Sequence, residues 1–130
     1  MRLLGMIHIL LCRIPKVGIS ISLALSRFFS IFPWLAGVRG STSIEQTRQQ
    51  LIDAGERMNF GFEFSEVDGD EFILELPSCP YGFNRTEHQR PCDTAMEMDK
   101  TLLRMADAEL IITDTIPKGA SRCRMIVRRS

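Results

Sequence analysis

The sequence predicts an α+β fold, with N-terminal helices packed on a small antiparallel sheet in the order α-α-α-β-β-α-β-β. Three observations predict it. Residues 58–76 alternate apolar and polar side chains on either side of an Asp-Gly turn, the pattern of a hairpin. Residues 43–57 and 93–107 repeat apolar side chains at helical spacing. Two more apolar stretches flank the turn 117-PKGA-120 and close the chain. At 130 residues, with 45% apolar and 25% charged side chains, the chain has the size and make-up of one globular domain. It contains no internal repeat and no low-complexity tract.

The first 40 residues form an apolar arm ahead of a domain over residues 41–130. The runs 3-LLGMIHILLC-12, 17-VGISISLAL-25 and 28-FFSIFPWLAG-37 are each shorter than the roughly 20 residues that span a bilayer. Arg13, Pro15 and Lys16 separate the first two, and Arg27 separates the second from the third. No small-residue cleavage site follows them, so a secretory signal is not expected. Helices are predicted over 2–12 and 17–31. Two readings of them stand side by side. They cover one face of the domain, or they lie in a membrane interface with apolar faces down and basic residues at the head groups. Trp34 serves either as core or as an interfacial anchor.

The arm ends at 38-VRGSTS-43. Thr42 and Glu45 have the spacing of a capping box, opening a helix over 43–57 with Ile44, Leu51, Ile52 and Met58 on its apolar stripe. Phe60, Phe62 and Phe64 then alternate with Gly61, Glu63 and Ser65, and Phe72, Leu74 and Leu76 alternate with Ile73 and Glu75. Pro77 ends that strand. Residues 77–92 read as a loop. A helix over 93–107 carries Ala95, Met98, Leu102 and Met105 on one face. Strands over 110–116 and 121–128 follow; in the last, Cys123, Met125 and Val127 share one face, and Arg122, Arg124 and Arg128 the other.

The net charge is zero, which argues against non-specific nucleic-acid binding. Its distribution is uneven. Residues 1–40 hold Arg2, Arg13, Lys16, Arg27 and Arg39 and no acid, a charge of +5, and the remainder carries −5. Cys12, Cys79, Cys92 and Cys123 lack the density of a disulfide scaffold, so reduced thiols in a cytoplasmic protein are expected.

The stretch 77-PSCPYGFNRTEHQRPCDTAMEMDK-100 concentrates the chemistry. Cys92 at a helix start would have its thiolate stabilised by free N–H groups and the helix dipole. His88, four residues earlier, would be its base, and Asp93 a helix cap or a partner for a substrate amine. Tyr81 and Arg85 suit an acidic ligand. The plainer alternative is a packed corner, because cysteine is often a small buried hydrophobe and Asp an ordinary cap. The spacing contains no C-x-x-C pair, so no metal and no cofactor are expected. A convergence of Cys79, Cys92 and Cys123 with His88 is the one arrangement that would hold a metal.

The segments 79-CPY-81, 92-CD-93 and 110-LIITDTIPKGASRCRMIV-127 resemble the L-2-amino-thiazoline-4-carboxylic acid hydrolase family. The resemblance covers about residues 58–128. It rests on a Cys-Pro-Tyr turn, a second cysteine before a helix, and a strand–turn–strand with Thr113 or Thr115, Gly119 and Cys123. The layout is similar also to the vinyl-4-reductase domain, a small-molecule-binding relative of a trafficking fold, although Gly119-Ala120 replaces the Gly-Asp of that family's final hairpin. The first resemblance implies a hydrolase of the C–N class acting on a cyclic amidine, which opens a thiazoline to an N-carbamoyl-cysteine: water adds at the amidine carbon and the ring sulfur leaves as the thiol. Cys92, His88 and Asp93 would be catalytic, and Cys79, Tyr81, Arg85 and Cys123 would contact substrate. The second implies an apolar pocket lined by Phe60, Phe62, Phe64 and Met98, without catalysis. Either way the expected partner is a small molecule. Peripheral membrane contact through residues 1–37, or a homodimer through an exposed arm, are the further partners the sequence suggests.

Overall fold

A computed structural model describes residues 2–35, 40, 43–57, 59 and 61–129, with the side chains of Pro33 and Trp34 left out of the description. The fold is α+β. Its helices are α1 (Arg2–Cys12), α2 (Gly18–Phe29), α3 (Ile31–Leu35), α4 (Ile44–Arg57) and α5 (Gln89–Met105). Its strands are β1 (Glu63–Phe64), β2 (Glu71–Leu76), β3 (Ala108–Asp114) and β4 (Cys123–Arg129). They form one antiparallel sheet in the order β1-β2-β4-β3.

The strand alternation sorts the sheet into two faces. Phe72, Leu74 and Leu76 of β2, Cys123, Met125 and Val127 of β4, and Ala108 and Leu110 of β3 are buried. With Leu102, Leu103 and Ala106 of α5 and Ile44, Leu51 and Ala54 of α4 they make the main core. On the opposite face the register sets Ile73, Ile126 and Ile111 in one row. Charged rows flank it: Glu71 pairs with Arg128 at 2.9 Å, and Arg122 reaches both Glu63 and Glu75 at 2.7 Å. The arginine face expected of the last strand is therefore matched by acids on its neighbours.

The arm holds a short third helix, α3, where one helix over 17–31 is expected from sequence, and β3 and β4 are shifted by about two residues. Two further boundaries bear on the site. α5 starts at Gln89, after a 3-10 turn over Thr86–His88, and not at Asp93. Pro91 suggested a loop, yet proline is tolerated in the first turn of a helix, where its missing N–H has no intrahelical partner anyway. The first hairpin is also shorter. Only Glu63 and Phe64 pair as a strand, followed by a bond from Ser65 N–H to the Ile73 carbonyl. Its turn centres on Gly69 and Asp70, with Asp68 and Glu71 exchanging backbone bonds, and Gly69 takes the positive φ of 63° that such a turn favours at its first central position. Met58, Phe60 and the proposed Thr42 cap lie outside the described residues; Ser43 Oγ accepts from the Gln46 amide at 3.3 Å at the start of α4.

α1 and α2 form a helical hairpin packed on the N-terminal half of α5. The fully buried residues of this contact are small or polar. Gly5 and His8 of α1 and Gly18, Ser22 and Ser26 of α2 are buried. Gly5 is required by close approach: a Cβ there would sit 2.2 Å from the Tyr81 carbonyl oxygen. A second cluster of Tyr81, Phe83, Cys92, Ala95 and Met98 lies beneath, with Leu4, Ile9 and Phe29 of the arm against it.

Candidate functional site

α5 crosses the sheet at one end and the arm at the other, and a cavity of about 70 Å³ opens between α5, the sheet and the loop after β2. Its wall is almost wholly apolar, made by residues such as Leu74, Leu76, Leu102, Leu110 and Phe62. Sulfur is prominent: Cys79, Cys92 and Cys123 all line it, with Met96, Met98 and Met125. Three elements bring the thiols together. Cys79 follows β2, Cys92 sits in the first turns of α5, and Cys123 opens β4. The polar groups on the wall are Tyr81, Asp99 and Thr115.

The thiol environment is the reverse of the one expected from sequence. Cys92 lies inside α5 and is buried, so the free N–H groups of a helix start are not what surrounds it. Burial, followed by the neighbouring Cys123 and Cys79, pushes its thiol up to about 12. Cys123 is also raised by burial, although the Ile116 N–H points at its sulfur from 3.5 Å. All four cysteines are free thiols. Tyr81 is held well above its usual range, first by burial and then by the charge of Asp99. Its ring stacks on Phe83 at 5.4 Å and meets His8 edge-on at 6.4 Å.

The expected partners of Cys92 do not join it. His88 lies on a separate outer groove with Ile9, Cys12, Arg13, Glu87, Arg90 and Pro91. Its Nδ1 accepts from the Asn84 amide at 3.2 Å, and its ring rests near Phe83. Asp93 is exposed and accepts from Gln89 Nε2 at 2.6 Å, one helical turn away. Arg85 is exposed and pairs with Glu87 at 3.5 Å. The cause is the four-residue earlier start of α5, which rotates Asp93 outward and leaves His88 before the helix. Of the predicted contact residues, Cys79, Tyr81 and Cys123 share the cavity, as does Cys92 of the predicted catalytic ones; of the predicted apolar pocket, Phe62 and Met98 do, Phe64 does not, and Phe60 is outside the described residues. Among the described residues, no group of three His, Cys, Asp or Glu side chains is placed to hold a metal ion.

Asp99 is the residue that sequence reasoning missed. Its carboxyl is pushed up to about 7 by burial, partly offset by its own backbone N–H. Among the described residues no basic side chain forms an ion pair with it. A signal was present: Asp99 stands four residues after Ala95 and three before Leu102, on the apolar stripe of the helix. An acid at that position is either an error of packing or a functional group.

No protein-family model matches the chain, and no curated protein matches it.

Proposed function

We propose that this domain binds a small, largely apolar molecule carrying an amine or amidine, in the cavity between α5 and the sheet, with Asp99 as its polar anchor. The observation that carries this reading is a lone carboxyl on an apolar wall, with its charge balanced near neutral pH. A carboxylate on an apolar wall, with no basic partner among the described residues, is costly, and a cationic ligand relieves that cost by pairing with it. Apart from Tyr81, Asp99 and Thr115 the wall is apolar, which suits a compact ligand with an apolar body. The reading agrees with the small-molecule-binding expectation from the vinyl-4-reductase resemblance.

A matched pair of ligands tests it. Benzamidine is expected to stabilise the protein in a thermal-shift titration at pH 8, and neutral benzamide much less. Asp99→Asn is expected to abolish the difference. Equal responses to the two compounds, or a response that survives Asp99→Asn, would remove Asp99 from the site.

The three thiols on the same wall favour a second reading, hydrolytic opening of a cyclic amidine, as the hydrolase resemblance implies. In that reading Asp99, rather than His88 or Asp93, is the general base or acid within the cavity, and its position near pH 7 suits that work. The raised Cys92 thiol weighs against a thiolate nucleophile and leaves attack to a water molecule. Incubation with 2-amino-thiazoline-4-carboxylate separates the two: gain of one water by mass spectrometry, lost in Asp99→Asn, supports hydrolysis. Saturable binding with no product supports the binding module.

A further inference from the structure

The N-terminal helical hairpin has its polarity reversed. A helix on a water-soluble domain turns large apolar side chains inward and polar ones outward. Here the fully buried residues are Gly5 and His8 on α1, and Gly18, Ser22 and Ser26 on α2, with Leu4, Ile9 and Phe29 partly buried beside them. They meet α5 through hydroxyl bonds: Ser22 Oγ donates to Thr94 Oγ1 at 2.8 Å, and Ser26 Oγ donates to the Thr94 carbonyl at 2.6 Å. The outward residues include Leu3, Met6, Leu10, Ile21 and Phe28, with Leu3 at 71% and Phe28 at 66% exposure. Every exposed large apolar side chain among the described residues, except Met105, lies between Leu3 and Leu35. Small residues at the helix contacts, hydroxyl bonds between helices and large apolar residues outside are the arrangement of helices that face lipid.

Charge identifies the occupant. Residues 1–40 carry five basic side chains and no acid. Arg2, Arg13 and Lys16 are exposed, the last two in the turn between α1 and α2. Arg27 is exposed too and reaches Glu97 of α5 at 3.5 Å. Glu87 lies near Arg13 on the groove at the hairpin's edge. Two copies joined through this face would bring two basic arms together with no acid on either. An anionic surface instead complements the charge while covering the apolar side chains. No helix among the described residues is long and apolar enough to cross a membrane. α1, with 11 residues, is only about 16 Å long. We therefore infer that the α1–α2–α3 face docks in the plane of a bilayer surface rich in anionic lipid, with the sheet and its cavity held on the aqueous side of α5. This inference is independent of what the cavity binds.

The test is sedimentation of the full chain with vesicles of phosphatidylglycerol and phosphatidylcholine, alongside vesicles of phosphatidylcholine alone. Light scattering in the absence of lipid reports the oligomeric state. The expected result is binding to the mixed vesicles, at least tenfold weaker to the neutral ones, and weakened by salt. Leu10→Asp with Phe28→Asp, both exposed positions, is expected to lower the partition at least tenfold with an unchanged circular dichroism spectrum. Arg13→Gln with Lys16→Gln is expected to lower it by about twenty-fivefold, at about fivefold per charge removed. Equal binding to neutral vesicles would overturn the anionic part of the inference. A stable dimer that ignores vesicles, and that Leu10→Asp with Phe28→Asp dissociates, would overturn the lipid surface in favour of a second copy. A monomer that binds neither vesicle would overturn it outright.

Discussion

The hydroxyl of Ser22 donates to the hydroxyl oxygen of Thr94 across the α2–α5 contact, at 2.8 Å and away from solvent. Thr94 passes its own proton to the Pro91 carbonyl at 3.0 Å, which leaves Ser22 Oγ to accept from His8 Nδ1. His8 Nε2 lies 3.4 Å from Ser26 Oγ. This chain ties α1, α2 and the first turns of α5 together through hydroxyls, beside the apolar contacts that Leu4, Ile9 and Phe29 make with the second cluster. Thr94→Val keeps the volume but leaves Ser22 without its acceptor, at a cost of about 1–3 kcal/mol. Urea denaturation of Thr94→Val measures that cost, and Thr94→Ser should recover most of it.

His8 makes the arm's docking sensitive to acid. Burial lowers its proton affinity in the fold, below the ordinary 6.5. The unfolded or undocked arm therefore binds the proton more readily than the docked one. The stability that His8 contributes is fully present above about pH 6.5 and is lost as pH falls through its lower folded value. Protection factors of the α1 amides, referred to the intrinsic exchange rate at each pH, should fall below pH 6.5 in the wild type, and His8→Gln should flatten that dependence.

Asp99 acts in the opposite direction. It keeps its proton to about pH 7 in the fold, against 3.8 as the ordinary value. The protein is thus most stable with respect to this group below pH 3.8 and loses stability as pH rises to about 7. The loss amounts to roughly 4 kcal/mol at most, at about 1.4 kcal/mol per pH unit. Asp99→Asn should remove it, and a chemical-denaturation series between pH 4 and 8 should show the variant gaining on the wild type as pH rises.

The thiols should react in an order set by their environment. Cys92 and Cys123 are buried and raised, whereas Cys12 and Cys79 are partly exposed. Iodoacetamide at pH 8, followed by peptide mass spectrometry, should label Cys12 and Cys79 well before Cys92. His88→Ala should leave the rate at Cys92 unchanged. Rapid labelling of Cys92 would place a thiolate where the fold gives none.

At Gly5 the constraint is steric. A methyl group would stand 2.2 Å from the Tyr81 carbonyl oxygen and 2.9 Å from its Cβ. Gly5→Ala must push α1 off the loop, at a cost of about 1–3 kcal/mol, even though alanine favours helix. A lowered urea midpoint checks this.

Much of the architecture was legible because it rests on periodicity. The alternation around Phe72–Leu76 and Cys123–Val127 gave strands whose faces are as read, and the arm broke into helices where Arg13 and Pro15 interrupt it. The start of α5 was not legible, because proline is compatible with both a loop and a first helical turn. That one boundary decided the site. Moving the helix start to Gln89 turned Asp93 outward, buried Cys92 and left His88 on another surface. The convergence of the three cysteines was foreseen as an arrangement, but not that Asp99 would share their cavity. The reversed polarity of the arm could not be read either, since a run of Leu and Ile does not say which of its sides a neighbour covers.

The most direct measurement is a ¹³C NMR titration of the Asp99 carboxyl, with and without saturating benzamidine. The expected midpoint lies near pH 7 in the free protein and moves lower by a unit or more when the amidinium pairs with the carboxylate. A free-protein midpoint near pH 4, or one that benzamidine leaves in place, would contradict it.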